Sequence, residues 1–182
     1  PYYGACEMNA WYVAPAGLLI DVIVGDPAFI THPVVLMGRM ISWLDSKLRR
    51  PADSPRRQVV LGFVLWCTVV GASSGITWVL LETAAKLVPG AALPLNLWLV
   101  STTIAARGLA DAGRKVARCL RAGDIEGARR AVGEIVGRDT DRMQPEEIIR
   151  AAVESIAENT VDGVIAPLFY SAIGGAPLAI AY

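Results

Sequence analysis

The stretch from Val59 to Leu81, VVLGFVLWCTVVGASSGITWVLL, holds 23 residues without a charge, and nothing else in the sequence limits the fold so strongly. At about 1.5 Å of rise per residue, a helix over it crosses a hydrocarbon layer of about 30 Å with some tilt. Composition points the same way. The chain is 54% hydrophobic and only 19% charged, and its mean hydropathy is +0.45. Spanning segments must satisfy their own backbone hydrogen bonds, so the expected class is all-α: a polytopic membrane protein with about four transmembrane or membrane-embedded helices, treated as a single membrane domain over 1–182.

The other apolar segments are less regular. Trp11 to Val24 is apolar apart from Asp21 and is short for a span. Gly25-Asp26-Pro27 ends it, because Pro27 disfavours helical backbone at Asp26. Residues 28–44 are mildly amphipathic and fit an interfacial helix, residues 45–58 read as an Arg- and Pro-rich loop, and residues 91–106 form a third, shorter apolar segment. The last segment, 161–182, is interrupted by Pro167, Gly174, Gly175 and Pro177. Gly71 and Gly75 make a small-residue face on the second span, suited to close packing within the chain or to a homo-oligomer.

Between the third and last apolar segments the periodicity becomes that of soluble helices. Leu109, Val116 and Leu120, then Ile125, Ala128, Val132, Ile135 and Val136, recur at helical spacing. Gly123 is the expected stop and Asp124 the next N-cap, giving a helical hairpin over 107–138. Its basic residues, among them Arg114, Lys115, Arg118, Arg121, Arg129 and Arg130, read as a solvated face, or more sharply as a contact for anionic lipid or substrate. Basic residues concentrate in 39–58 and 107–150, with only Lys86 elsewhere. By the positive-inside rule both regions face the cytoplasm and the N-terminus lies outside.

Chemistry is expected in Gly137–Gly163, GRDTDRMQPEEIIRAAVESIAENTVDG. Pro145 suits the first turn of a helix, Glu146 and Glu147 suit its positive end, and the helix should run over 145–160. On it Glu154, Glu158 and, if the helix continues, Asp162 fall within an arc of about 80° at 100° per residue. Unpaired like charges at this spacing repel, so the face wants a divalent cation, a basic partner or simply water. Ser155, Asn159 and Thr160 add oxygen ligands where the chain turns apolar.

Several function classes are excluded or unsupported. Net charge is zero and no basic run is interleaved with aromatics, so no nucleic-acid partner is expected. Cys6, Cys67 and Cys119 form no CxxC pair. A lone histidine, His32, rules out a multi-histidine metal site and leaves a Ser-His-Asp triad without support; it is either structural or part of a cluster with Asp21 and Asp26. GxxxxGK[ST], GxGxxG and HExxH are absent, and no repeat pair supports a transporter.

Asp21, Gly25-Asp26-Pro27, His32-Pro33-Val34, Gly38, Gly137-Arg138-Asp139-Thr140, AAVESIAENTVDGVIAPLFY and Gly174-Gly175-Ala176-Pro177 together resemble the CobD/CbiB family, membrane enzymes of cobalamin biosynthesis. The resemblance runs from Asp21 to Tyr182 and implies adenosylcobinamide-phosphate synthase activity. In that reaction an amide bond joins a carboxylate of adenosylcobyric acid, a corrinoid, to the amine of aminopropanol phosphate, with ATP and Mg²⁺. It also implies a bacterial or archaeal cell membrane. Given that chemistry, residue type and position assign Glu154, Glu158 and Asp162 to the cation, with Asp139 and Asp26 next in line. Arg138 is assigned to phosphate and His32 to the proton of the attacking ammonium, while Asp21, Thr140, Ser155, Asn159 and Thr160 are candidates for substrate contact. An Arg138–Asp139 ion pair closing the loop is the plainer alternative. Family members continue with a further motif-rich stretch and more hydrophobic segments. The chain is therefore expected to be the N-terminal part of a longer protein, which need not carry a complete site. A relative in β-lactamase regulation supplies the non-enzymatic alternative, a membrane sensor of the same superfamily.

Overall fold

In the computed structural model, residues 11–25, 33–50 and 54–182 are described, and among them every regular element is helical. They are α1 (Val13–Val24), α2 (Pro33–Leu48), α3 (Pro55–Leu87), α4 (Ala92–Ser101), α5 (Ala106–Arg121), α6 (Ile125–Gly133), α7 (Pro145–Thr160) and α8 (Ala166–Ala181). A π-helical turn, Val161–Ile165, joins α7 to α8.

Two helical rods are long and apolar enough to cross a membrane, Pro55–Leu87 and the continuous Pro145–Ala181. Ser54 caps the first, and Pro55 occupies its first turn. The rod therefore extends well beyond the uncharged run at both ends, and the expected loop over 45–58 narrows because α2 continues to Leu48. α1 and α4, of 12 and 10 residues, would span only about 18 and 15 Å. Each falls short of the hydrocarbon thickness alone. They pack instead against each other and α8, and α4 and α8 also meet α3. Val13, Leu81, Leu99, Val100, Ile104 and Ala176 form the core of this group. Gly17 permits the close approach of α1 to α4, since a Cβ there would lie 2.5 Å from Val100 Cγ1.

Most of α3 is nevertheless uncovered; Val59 is 73% exposed, and an apolar rod in that condition requires lipid or protein around it. At Gly71 and Gly75 a Cβ would meet nothing within 4 Å, so the small-residue face is not used for packing among the described residues.

A second core lies in α5, α6 and α7, where Val116, Ala128, Ala131, Val132, Ile148, Ala151 and Ala152 are buried. Its alanines let three short helices sit close together. Asp124 accepts a hydrogen bond from Gly127 N at 2.8 Å, and Gly123, at φ +73°, stops the preceding helix as its position predicts.

Two polar contacts tie the groups together. Ala105, at the head of α5, has no capping side chain, and the buried Asp21 of α1 supplies one from a distance: its Oδ2 accepts from Arg107 N at 3.0 Å. Pro167 has no N–H to give to the carbonyl four residues back, and Ala105 N donates to that carbonyl, Gly163 O, at 2.8 Å. Farther along, non-helical backbone at Gly174 and Gly175 kinks α8, with Gly175 at φ +60°. The buried Asn96 accepts from Ala176 N there at 2.9 Å. Asn96 carried no signal beyond being polar within an apolar segment.

Candidate functional site

α7 starts as the sequence predicts, with Pro145 in its first turn and Glu147 Oε2 accepting from Gln144 N at 2.8 Å. Ile148, Ala151 and Ala152 face the core with α5 and α6. That orientation leaves Glu154, Ser155, Glu158 and Asn159 facing the chain that follows α6. Between α7 and residues 135–138 lies a cleft of about 420 Å³, lined by Ile135, Val136, Gly137, Arg138, Ala151, Glu154, Ser155, Glu158 and Asn159.

A short polar chain holds its floor. Asn159 Nδ2 donates to Ser155 Oγ at 3.2 Å, and Ser155 Oγ donates onward to the Ile135 carbonyl. At the rim, Arg138 Nη2 lies 3.3 Å from Glu154 Oε2, both side chains being more than half exposed. Arg138 thus reaches across to α7 rather than closing its own loop with Asp139. The loop is closed by other means. Asp139 Oδ1 accepts from Asp141 N at 3.0 Å, and the nearly buried Thr140 donates its hydroxyl to the Arg129 carbonyl at 3.0 Å. Arg129 Nε in turn donates to the Met143 carbonyl at 2.9 Å. Arg129 is a correction to the solvated basic face: its side chain is only 18% exposed and it bridges α6 to the loop. Helical spacing alone gives no sign of that role.

The cleft gathers five of the expected site residues, Arg138, Glu154, Ser155, Glu158 and Asn159. Others stand apart. Thr160 Oγ1 donates to the Ile156 carbonyl within its own helix, at 2.7 Å. Asp162, on the π turn, accepts from Tyr182 Oη at 3.3 Å. Asp21 is engaged at the head of α5. Asp26 and His32 lie outside the described residues.

The acidic face is consequently not the unpaired trio that even spacing predicts, since Glu154 has Arg138 and Asp162 has Tyr182. Among the described residues no group of three or more His, Cys, Asp or Glu converges as a metal centre. The donor set that remains in the cleft is two carboxylates with a hydroxyl and an amide, all hard oxygen ligands. That set suits a cation arriving on phosphate oxygens, which takes one or two protein carboxylates and keeps water, and does not suit an all-protein cage. The guanidinium beside it suits phosphate.

Residues 14–182 match the family model described as CobD/Cbib protein. The chain is similar to the cobalamin biosynthesis protein CobD of Citrobacter koseri, with 44% identity over 173 residues, 95% of this chain and 53% of that protein. The cobalamin biosynthesis proteins CbiB of Salmonella arizonae and Salmonella typhimurium are 44% and 43% identical over the same 95% of the chain and 53% of their own length. The chain thus spans about half the length of the curated relatives it matches. No solved structure matches it.

Proposed function

This chain belongs to the CobD/CbiB family, and from that membership we propose that it acts in cobalamin biosynthesis as an adenosylcobinamide-phosphate synthase. A carboxylate of adenosylcobyric acid is joined to the amine of aminopropanol phosphate. An unactivated carboxylate is a poor acyl donor to an amine, so the carboxylate oxygen first takes a phosphoryl group from ATP, releasing ADP. The amine then attacks the acyl carbon and phosphate leaves.

The observation that carries this reading is the cleft in which Arg138, Glu154 and Glu158 meet beside Ser155 and Asn159. Arg138 binds phosphate oxygens by its fork, exchanging its exposed pairing with Glu154 for the ligand. Glu154 and Glu158 would hold Mg²⁺ on those phosphates, where the cation would supply neutralisation of charge. Ser155 and Asn159 fix the cleft wall. His32 takes the proton from the attacking ammonium, and Asp162, with Asp139 and Asp26 next in line, is a further candidate for the cation. The protein lies in a bacterial or archaeal cell membrane as a multi-pass protein, its cleft on the cytoplasmic side where ATP is found, and a second copy packs on the Gly71/Gly75 face.

The test uses full-length protein assayed for amide formation from adenosylcobyric acid. Glu158→Gln should lower turnover by about 10² or more while leaving insertion and yield intact, because an exposed carboxylate contributes little to stability. His32→Gln should lower turnover about 10² and remove the acid limb, since a base must be neutral and an imidazole ordinarily titrates near pH 6.5. Near-normal turnover in Glu154→Gln and Glu158→Gln alike would favour a non-enzymatic membrane sensor.

A further inference from the structure

α2 is difficult to account for as part of the protein core. It has 16 residues, packs against α3, and buries none of them. Its outward apolar side chains include Leu36, Ile41 and Trp43, the last 60% exposed. Where α2 ends and α3 begins, the two helices leave adjoining hollows of about 370 and 250 Å³ that share Asp45, Arg49 and Gln58. Leu48, Leu61 and Leu65 line the inner hollow, while Arg49 and Arg50 stand at the outer one. The hollows therefore run from a charged mouth to an apolar slot, beside helix surface that is apolar and uncovered.

We propose that this cleft between α2 and α3 is a binding site for one anionic phospholipid, its headgroup phosphate at Arg49 and Arg50 and an acyl chain along Leu61 and Leu65. Charge favours this occupant. Residues 39–58 carry Arg39, Lys47, Arg49, Arg50, Arg56 and Arg57 against Asp45 and Asp53. Asp45 is already met by Arg49, at 3.9 Å, an exposed contact that a phosphate can replace. The mouth also lies at the N-terminal end of α3, whose dipole favours an anion. A soluble phosphate compound would use the arginines but leave the leucine slot empty, whereas a lipid uses both.

The experiment is native mass spectrometry of the detergent-purified protein offered phosphatidylglycerol or phosphatidylcholine. Phosphatidylglycerol should be retained in preference, and Arg49→Gln with Arg50→Gln should reduce its retention about thirtyfold, from the loss of two charges at a lipid surface. Removing the same charge elsewhere, by Arg118→Gln with Arg121→Gln, should change retention less than about twofold, because those residues flank a different surface on α5. Leu65→Trp fills the slot without altering charge and should also release the lipid. Equal retention of phosphatidylcholine, equal losses from the two arginine pairs, or unchanged retention in Leu65→Trp would each overturn the site. Displacement of the lipid by inorganic phosphate at matched ionic strength would overturn it in favour of a soluble phosphate ligand.

Discussion

Ser155 is the residue on which the cleft's shape depends most directly. Its hydroxyl gives its proton to the Ile135 carbonyl and accepts from Asn159, so one oxygen fastens the loop carrying Arg138 to the helix carrying Glu154 and Glu158. Ser155→Ala should lower stability by only about 1 kcal/mol, the net worth of an ordinary hydrogen bond. Its larger effect should be on binding: with the loop loosened three residues before Arg138, the KM for the ATP proposed to bind there should rise severalfold while kcat changes less. Steady-state kinetics beside a thermal melt separate these effects. An unchanged KM with a lowered melting temperature would make Ser155 merely structural. Glu154 and Glu158 were legible in the sequence as a pair, because four-residue spacing puts them on one helical face, and Ser155 and Asn159 share that spacing one residue on. Their partners were not, since Arg138 meeting Glu154 and Thr140 meeting Arg129 depend on the path of the 134–144 loop, which no local period encodes.

At the scale of the elements, α5 depends on α1. The helix has no side-chain cap of its own, and Asp21 accepts from Arg107 N from 86 residues away in sequence. Because Asp21 is buried, Asp21→Ala would leave that N–H without its partner, at a cost of about 1–3 kcal/mol. Asp21→Asn keeps an acceptor oxygen and should lose appreciably less. Thermal unfolding of the detergent-solubilised protein should rank the two in that order. If both variants melt like the parent while raising the KM for the corrinoid, Asp21 belongs to substrate contact instead. Sequence patterns located most helices within a few residues, because caps and stops such as Asp124, Gly123 and Pro145 act locally. They failed where an element is set by a distant one. The stretch from α7 into α8 reads as a helix over 145–160 followed by a separate apolar segment over 161–182, yet the rod runs on through a π turn whose freed carbonyl at Gly163 is taken by Ala105. Likewise the apolar length of 91–106 does not disclose that its helix ends at Ser101.

For the whole molecule, the decisive quantity is which side of the membrane each end of α3 occupies. Its N-terminal end adjoins Arg49, Arg50, Arg56 and Arg57, whereas its C-terminal end, near Val88, has only Lys86. By the positive-inside rule the first end is expected inside and the second outside. The α5–α6 hairpin carries Arg114, Lys115, Arg118, Arg121, Arg129 and Arg130 and by the same rule lies inside. The chain must then return across the membrane between Val88 and Ala106, although α4 is about 15 Å long. Its short helix is compatible with a return because α4 packs against α1, α3 and α8, and in the non-helical stretch after it Ile104 is buried and Ala105 N donates to the Gly163 carbonyl. In a background with Cys6, Cys67 and Cys119 replaced by serine, Val88→Cys should react with a membrane-impermeant maleimide in intact cells. Ala122→Cys, at the exposed tip of the hairpin, should react only after permeabilisation. Labelling of both positions from outside would mean that the segment around α4 does not cross, and the cleft on α7 would then face away from cytoplasmic ATP. That outcome would remove the synthase reading and leave the membrane assignment standing, whereas protection at 122 with labelling at 88 would support the cytoplasmic side proposed for the cleft on α7.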